Sequence, residues 1–196
     1  LHERGDATHI DASRAHRGTT TYAAATKLLT MGPTFASANG ACFSPDGRSI
    51  AVSLNDHVCV LRDAATGLVE RKFAHENVVF AVAFSPDSEY IVTAAGNNVA
   101  IVWSVSTGIV VRQLVGHTDA VLGAAYSPSG ASIVTASGDR LAIVWDAATG
   151  NATLRLDGHG ATVHSAFFSP DGRYIVTGSR DQSVIVWDAV SGFLVM

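Results

Sequence analysis

The chain has 196 residues, of which 47% are hydrophobic and only 15% charged, with a formal net charge of −4 and two cysteines. A pI near 6.0 argues against a nucleic-acid or anionic-membrane binder, and the absence of an 18-residue apolar run argues against a membrane-spanning helix. So many apolar residues beside so few charges suit sheets packed on both faces.

Residues 1–26 carry no repeat and are rich in Ala, Thr, Arg, His and Gly. They open polar and charged, unlike a signal peptide. His2, His9 and His16 are evenly spaced, but their small polar neighbours predict a solvated tail rather than a metal site. Lys27-Leu-Leu-Thr-Met31 then reads as an outer strand, because Val111–Leu114 holds the equivalent place before His117. From there to the C-terminus the chain repeats itself. Segments starting at Ile50, Ile91, Ile133 and Ile175 align with one another at a near-constant spacing. A period of that size marks one supersecondary unit that cannot bury its own apolar face alone.

Each unit reads as strands. In the third, Ala120–Tyr126, Ser132–Ser137, Leu141–Trp145 and Ala152–Leu156 are short runs rich in Val, Ile, Thr and aromatics. The breaks between them have turn chemistry: Pro presets φ, Asp or Ser bonds nearby backbone, and Gly accepts positive φ. Ser44–Gly47, Ser85–Ser88, Ser127–Gly130 and Ser169–Gly172 are predicted hairpin turns. Four hairpin-linked strands per unit, with no helix, predict an all-β chain of four-stranded antiparallel sheets.

Gly116-His117 leads to Trp145-Asp146, and Gly158-His159 to Trp187-Asp188; His75 follows Ala74 and leads to Trp103-Ser104. With the aromatic-Ser-Pro turns, this pattern resembles the WD-repeat family of β-propellers from about Lys27 to the C-terminus. The aromatics Phe43, Phe84, Tyr126 and Phe168 stand at one and the same spacing ahead of Arg62, Trp103, Trp145 and Trp187. The resemblance implies a propeller domain at 27–196, with repeats near 34–75, 75–117, 117–159 and 159–196, after a non-repetitive segment 1–26. It also implies a hydrogen-bonded His–Thr–Asp–Trp network in each blade. By position this is His117, Thr135, Asp139 and Trp145 in the third repeat and His159, Thr177, Asp181 and Trp187 in the fourth. The second has His75, Thr93 and Trp103, but Asn97 in place of the Asp; the first has Thr34, Val52 and Arg62, keeping only Asp56. The first blade is therefore expected to be the least rigid.

Thr, His and Asp together have the makings of a nucleophilic triad, but a recurring constellation fits a structural network better than a unique active site. One His per repeat does not converge on a metal. No catalytic residue, cofactor or metal is expected. Cys42 aligns with Ala83, Ala125 and Phe167, and Cys59 with Ala100, Ala142 and Val184. Both predict unpaired strand thiols in a reducing, cytoplasmic or nuclear compartment.

The family's rings hold about seven blades, so four repeats predict part of a larger ring whose open blade faces invite self-association. The lack of an initiator Met and the end inside a strand, Phe193-Leu-Val-Met196, lead us to expect part of a longer protein, or a truncated product that must pair to close. The resemblance implies a non-catalytic scaffold for proteins or peptides. Its candidate rim is Glu76, Asn77, Asn98, Thr118, Asp119, Arg140, Arg180 and Gln182. An alternative is the sensor or ligand-binding repeat region of a larger nucleotide-binding signalling protein, although no Gly-Lys-Ser/Thr phosphate loop is present here. A propeller hydrolase ranks below both, because the inner strands offer mainly Val, Ala and Phe.

Overall fold

The structure, a computed structural model, describes residues 36–195, which lie within the unit Met31–Met196. The expected entering strand at 27–31, the segment 1–26, Thr34 and Met196 fall outside the described residues. Those described are built from β-strands, turns and loops, with no helix among them.

Four antiparallel sheets follow one another along the chain. Blade 1 is β1 (Ala38–Phe43), β2 (Ser49–Leu54), β3 (Val58–Asp63) and β4 (Val69–Ala74). Blade 2 is β5 (Val79–Phe84), β6 (Tyr90–Ala95), β7 (Val99–Ser104) and β8 (Val110–Val115). Blade 3 is β9 (Val121–Tyr126), β10 (Ser132–Ser137), β11 (Leu141–Asp146) and β12 (Ala152–Asp157). Blade 4 has β13 (Val163–Phe168), β14 (Tyr174–Ser179) and β15 (Val184–Asp188), and Leu194 bridges to Trp187 where a fourth strand begins in the other blades.

The hairpins form for local reasons. In the first, Gly47 N–H donates to Ser44 O at 2.8 Å, while Ser44 Oγ donates to Asp46 Oδ1 and accepts from Ser49 N–H. Gly47, Ser88, Gly130 and Gly172 occupy the same left-handed position, with φ between 64° and 75°. The Trp-Asp aspartate closes the next turn. Asp146 Oδ1 accepts from the N–H and the hydroxyl of Thr149, both at 2.7 Å, and Gly150 supplies the positive φ.

The central strands of blades 1–3 are buried on both faces, so they read as continuous apolar runs rather than alternating ones. One face of each blade packs on the opposite face of the next. Val134, Ala136, Ala142 and Val144 of blade 3 meet Ala166, Ile175, Ile185 and Trp187 of blade 4. Val92, Ala100 and Val102 of blade 2 meet Ile133, Ile143 and Trp145 of blade 3 in the same way. Blade 1 repeats this against blade 2 through Ala51, Cys59 and Leu61. Both cysteines are free, and burial pushes the Cys42 thiol up to about 11.

The inner strands β1, β5, β9 and β13 contact one another in sequence, and among the described residues no comparable contact returns from β13 to β1. The outward face of blade 4 is uncovered: Phe167 is 55% and Val184 66% exposed, whereas their counterparts Ala125 and Ala142 are 8% and 1%.

Two arginines tie neighbouring blades. Arg71 on β4 donates to the carbonyls of Val105, Ser106 and Thr107 in the β7–β8 turn. Arg112 on β8 donates to Ala148 O in the β11–β12 turn, through Nε at 2.8 Å and Nη2 at 2.5 Å. Sequence reasoning did not single out either. Their recurrence at one position of successive repeats is the signal that could have found them.

Candidate functional site: a repeated polar network beneath a variable rim

A polar chain runs through the interior of blade 3. Trp145 Nε1–H donates to Thr135 Oγ1 at 2.8 Å, and Thr135 Oγ1 lies 2.7 Å from His117 Nε2. His117 Nδ1 lies 2.8 Å from Asp139 Oδ2. Burial holds His117 below the usual imidazole range against the pull of Asp139, so a neutral ring fits the chain. Nδ1–H then donates to the carboxylate, Nε2 accepts the threonine proton, and the threonine oxygen accepts the indole N–H.

Asp139 also fastens loop backbone. Its Oδ2 accepts Thr118 N–H at 2.9 Å and its Oδ1 accepts Leu141 N–H at 3.0 Å. Burial pushes its carboxyl up, but those N–H groups and the His117 ring outweigh this and hold it below the usual carboxylate range.

Blade 4 reproduces the arrangement. His159 stands 2.9 Å from Asp181 and 2.8 Å from Thr177 Oγ1, which accepts Trp187 Nε1–H at 2.8 Å. The Ser183 hydroxyl at 2.6 Å, with further bonds from backbone N–H groups and His159, keeps the Asp181 carboxyl far below its usual range.

Blade 2 differs from the sequence expectation. Trp103 Nε1–H still donates to Thr93 Oγ1 at 2.9 Å, but neither ring nitrogen of His75 has a partner, and Asn97 Oδ1 is also buried and unpaired. Two substitutions explain this. An amide replaces the carboxylate that anchors the other two histidines, and Ala74 stands where blades 3 and 4 have Gly116 and Gly158. A Cβ on Gly116 would lie 3.0 Å from Trp145 Cη2, and one on Gly158 2.9 Å from Trp187 Cη2. In blade 2 this position carries the Cβ that Gly116 and Gly158 lack. The His75 and Trp103 rings lie 5.1 Å apart, closer than the 6.2 Å between His117 and Trp145, and both pairs are edge-on. Burial lowers its pKa to about 4, so it is neutral at physiological pH.

Blade 1 has an apolar solution. Val52 replaces the threonine and clusters with Leu54 and Val60, while the buried Arg62 donates through Nη1 to Gly67 O at 2.9 Å.

The candidate rim residues lie in the β4–β5 and β8–β9 loops and in the β6–β7, β10–β11 and β14–β15 turns. Asn98, Arg140 and Gln182 share one left-handed turn position, with φ of 68°, 75° and 73°; His57 holds it in blade 1. Glu76, Thr118, Arg140, Arg180 and Gln182 have exposed side chains. Asn77 and Asp119 are exposed too, but they also brace their own loops. Asn77 Oδ1 accepts Val78 N–H and lies where a Cβ on Gly96 would fall, and Asp119 does the same for Ala120 N–H and Gly138.

As chemistry, the Thr–His–Asp array is closed. Thr135 and Thr177 are wholly buried and their hydroxyls are already committed. Among the described residues no group of three or more His, Cys, Asp or Glu side chains is placed to hold a metal.

The family described as WD domain, G-beta repeat matches residues 68–104, 108–146 and 150–188. No curated protein matches the chain. Each matched unit takes the outer strand of one blade with the three inner strands of the next, so consecutive repeats interlock. Three consecutive matches, on blades stacked in sequence, show that the chain belongs to the WD-repeat family.

Proposed function

We propose that this chain is a non-catalytic scaffold that holds protein or peptide partners on its rim, in the cytoplasm or nucleus. WD repeats generally serve as protein-interaction scaffolds. The observation that carries the reading is the turn position shared by His57, Asn98, Arg140 and Gln182. Four different side chains stand on one repeated left-handed conformation, which is how a rigid frame presents variable chemistry. Beneath it, the histidine networks of blades 3 and 4 fasten the loops from inside and leave no free nucleophile. Arg140 and Arg180 lie in the equivalent turns of adjacent blades, are exposed, and are the basic contacts of the rim.

Arg140→Ala and Arg180→Ala are expected to weaken partner capture by about tenfold each, the size of a modest interface anchor. The melting temperature should stay within the equivalent of ~0.5 kcal/mol, as for surface residues. The measurement is affinity capture from a lysate, with the captured protein identified and its affinity titrated beside the thermal melt. Unchanged affinity in both variants, or affinity lost only in step with stability, would remove the rim from the account.

A further inference from the structure

A cavity of about 570 Å³ opens beside blade 2. Its wall is mainly apolar, made by Val99, Ile101, Val110 and the indole of Trp103. Few polar atoms reach it. The ring nitrogens of His75 and Asn97 Oδ1 are sealed and take no part. Asn97 Nδ2 is not sealed, and among the described residues no group accepts from it. Glu76, exposed on the adjoining β4–β5 loop, sets a carboxylate on the same wall. Two substitutions make this chemistry particular to blade 2. Asn97 stands where the other blades have Asp56, Asp139 and Asp181, so an N–H donor replaces a carboxylate oxygen. The exposed Gln113 stands where blades 1 and 3 have Lys72 and Arg155, and the wall holds no cation.

We propose that this cavity binds a tyrosine side chain of a peptide partner. An apolar wall with a few placed polar groups, in a space of this size, suits a ring with a polar tip. The phenol oxygen accepts from Asn97 Nδ2–H and the phenol O–H donates to the Glu76 carboxylate, while the ring lies along Val99, Ile101 and Val110. Phenylalanine would fill the same space but cover Asn97 Nδ2 from water without accepting from it, which is costly. A basic side chain would set N–H against N–H at Asn97. A phosphorylated tyrosine would meet the Glu76 carboxylate with no cation on the wall to offset the repulsion. The inference rests on the scaffold reading and names the partner's chemistry at one site.

The test titrates the full chain with N-acetyl-tyrosine methylamide while the Asn97 side-chain amide and the indole N–H signals of the three tryptophans are followed by NMR. Saturable shifts are expected at Asn97 and Trp103, with Trp145 and Trp187 still. N-acetyl-phenylalanine methylamide should bind about two- to ten-fold more weakly, the size of one neutral hydrogen bond. The phosphotyrosine counterpart should bind at least ~10-fold more weakly, and Glu76→Gln should narrow that gap. Asn97→Asp, read at Trp103, should weaken the tyrosine probe at least ~10-fold by removing the donor and adding negative charge. Blades 3 and 4 carry Asp at this position, so the fold accepts it. The proposal is overturned by the absence of a saturable shift at Asn97 and Trp103, by equal shifts at all three tryptophans, by a phenylalanine or phosphotyrosine probe that binds as tightly, or by binding that survives Asn97→Asp. Because the probe is a small molecule, failure here with Arg140- and Arg180-dependent capture intact removes the pocket and leaves the scaffold standing. Loss of capture dependence with probe binding intact does the reverse.

Discussion

Thr135→Val is expected to destabilise the protein by about 2–5 kcal/mol, while the equivalent Thr93→Val costs only about 1–3 kcal/mol. The two substitutions are the same in chemistry and nearly the same in shape, and both threonines are wholly buried. They differ in what they strand. Losing the Thr135 hydroxyl leaves both Trp145 Nε1 and His117 Nε2 without a partner in the interior. Losing the Thr93 hydroxyl strands only Trp103 Nε1, because His75 is not bonded to it. For a chain of this size the larger loss lowers the melting temperature by roughly 5–15 °C. Thermal melts of the two variants check the ordering. Equal losses would mean that His117 contributes nothing through Thr135.

Gly116→Ala should cost about 1–3 kcal/mol, the range for overpacking a filled core. The added Cβ would stand 3.0 Å from Trp145 Cη2 and 3.6 Å from Arg155 Nη2. The arginine can swing away. The indole cannot, since Trp145 is 1% exposed and wedged among Val92, Val102 and Ile143. The linker must therefore rise and draw His117 from Thr135 and Asp139, which would give blade 3 the state that blade 2 already has. Denaturant unfolding gives the cost, and the His117 ring nitrogen shifts show whether the bond to Asp139 is lost. A variant as stable as the parent, with that bond intact, would show that Ala74 is not the reason His75 stands apart.

The regular period of the repeats carried the architecture, because each repeat must bury the same faces against its neighbour. Strand runs and the aromatic-Ser-Pro turns were legible for local reasons: alternating or continuous apolar runs, and residues that set φ or cap backbone. The network residues of blades 3 and 4 were legible through the family resemblance, carried over by position. The state of His75 could not be placed in that way: it stands at the same position as His117 and His159, yet both its ring nitrogens are buried without partners. The bracing by Asn77 and Asp119 was hidden for the same reason. A polar loop residue looks equally free in sequence whether it faces a partner or fills the space above a glycine such as Gly96 or Gly138. Arg71 and Arg112 reach turn carbonyls of the next blade, a pairing that hydropathy does not register.

The polar chain of the frame is complete in blades 3 and 4 and interrupted in blade 2. Hydrogen exchange of the three indole N–H groups, followed by NMR under native conditions, tests this most directly. Each donates to a buried threonine at 2.8 or 2.9 Å, so static geometry alone would protect them alike. The interrupted chain and the adjoining cavity predict that Trp103 exchanges at least ~10 times faster than Trp145, because a less supported bond opens locally at lower cost. Protection of Trp103 equal to or greater than that of Trp145 would contradict the account.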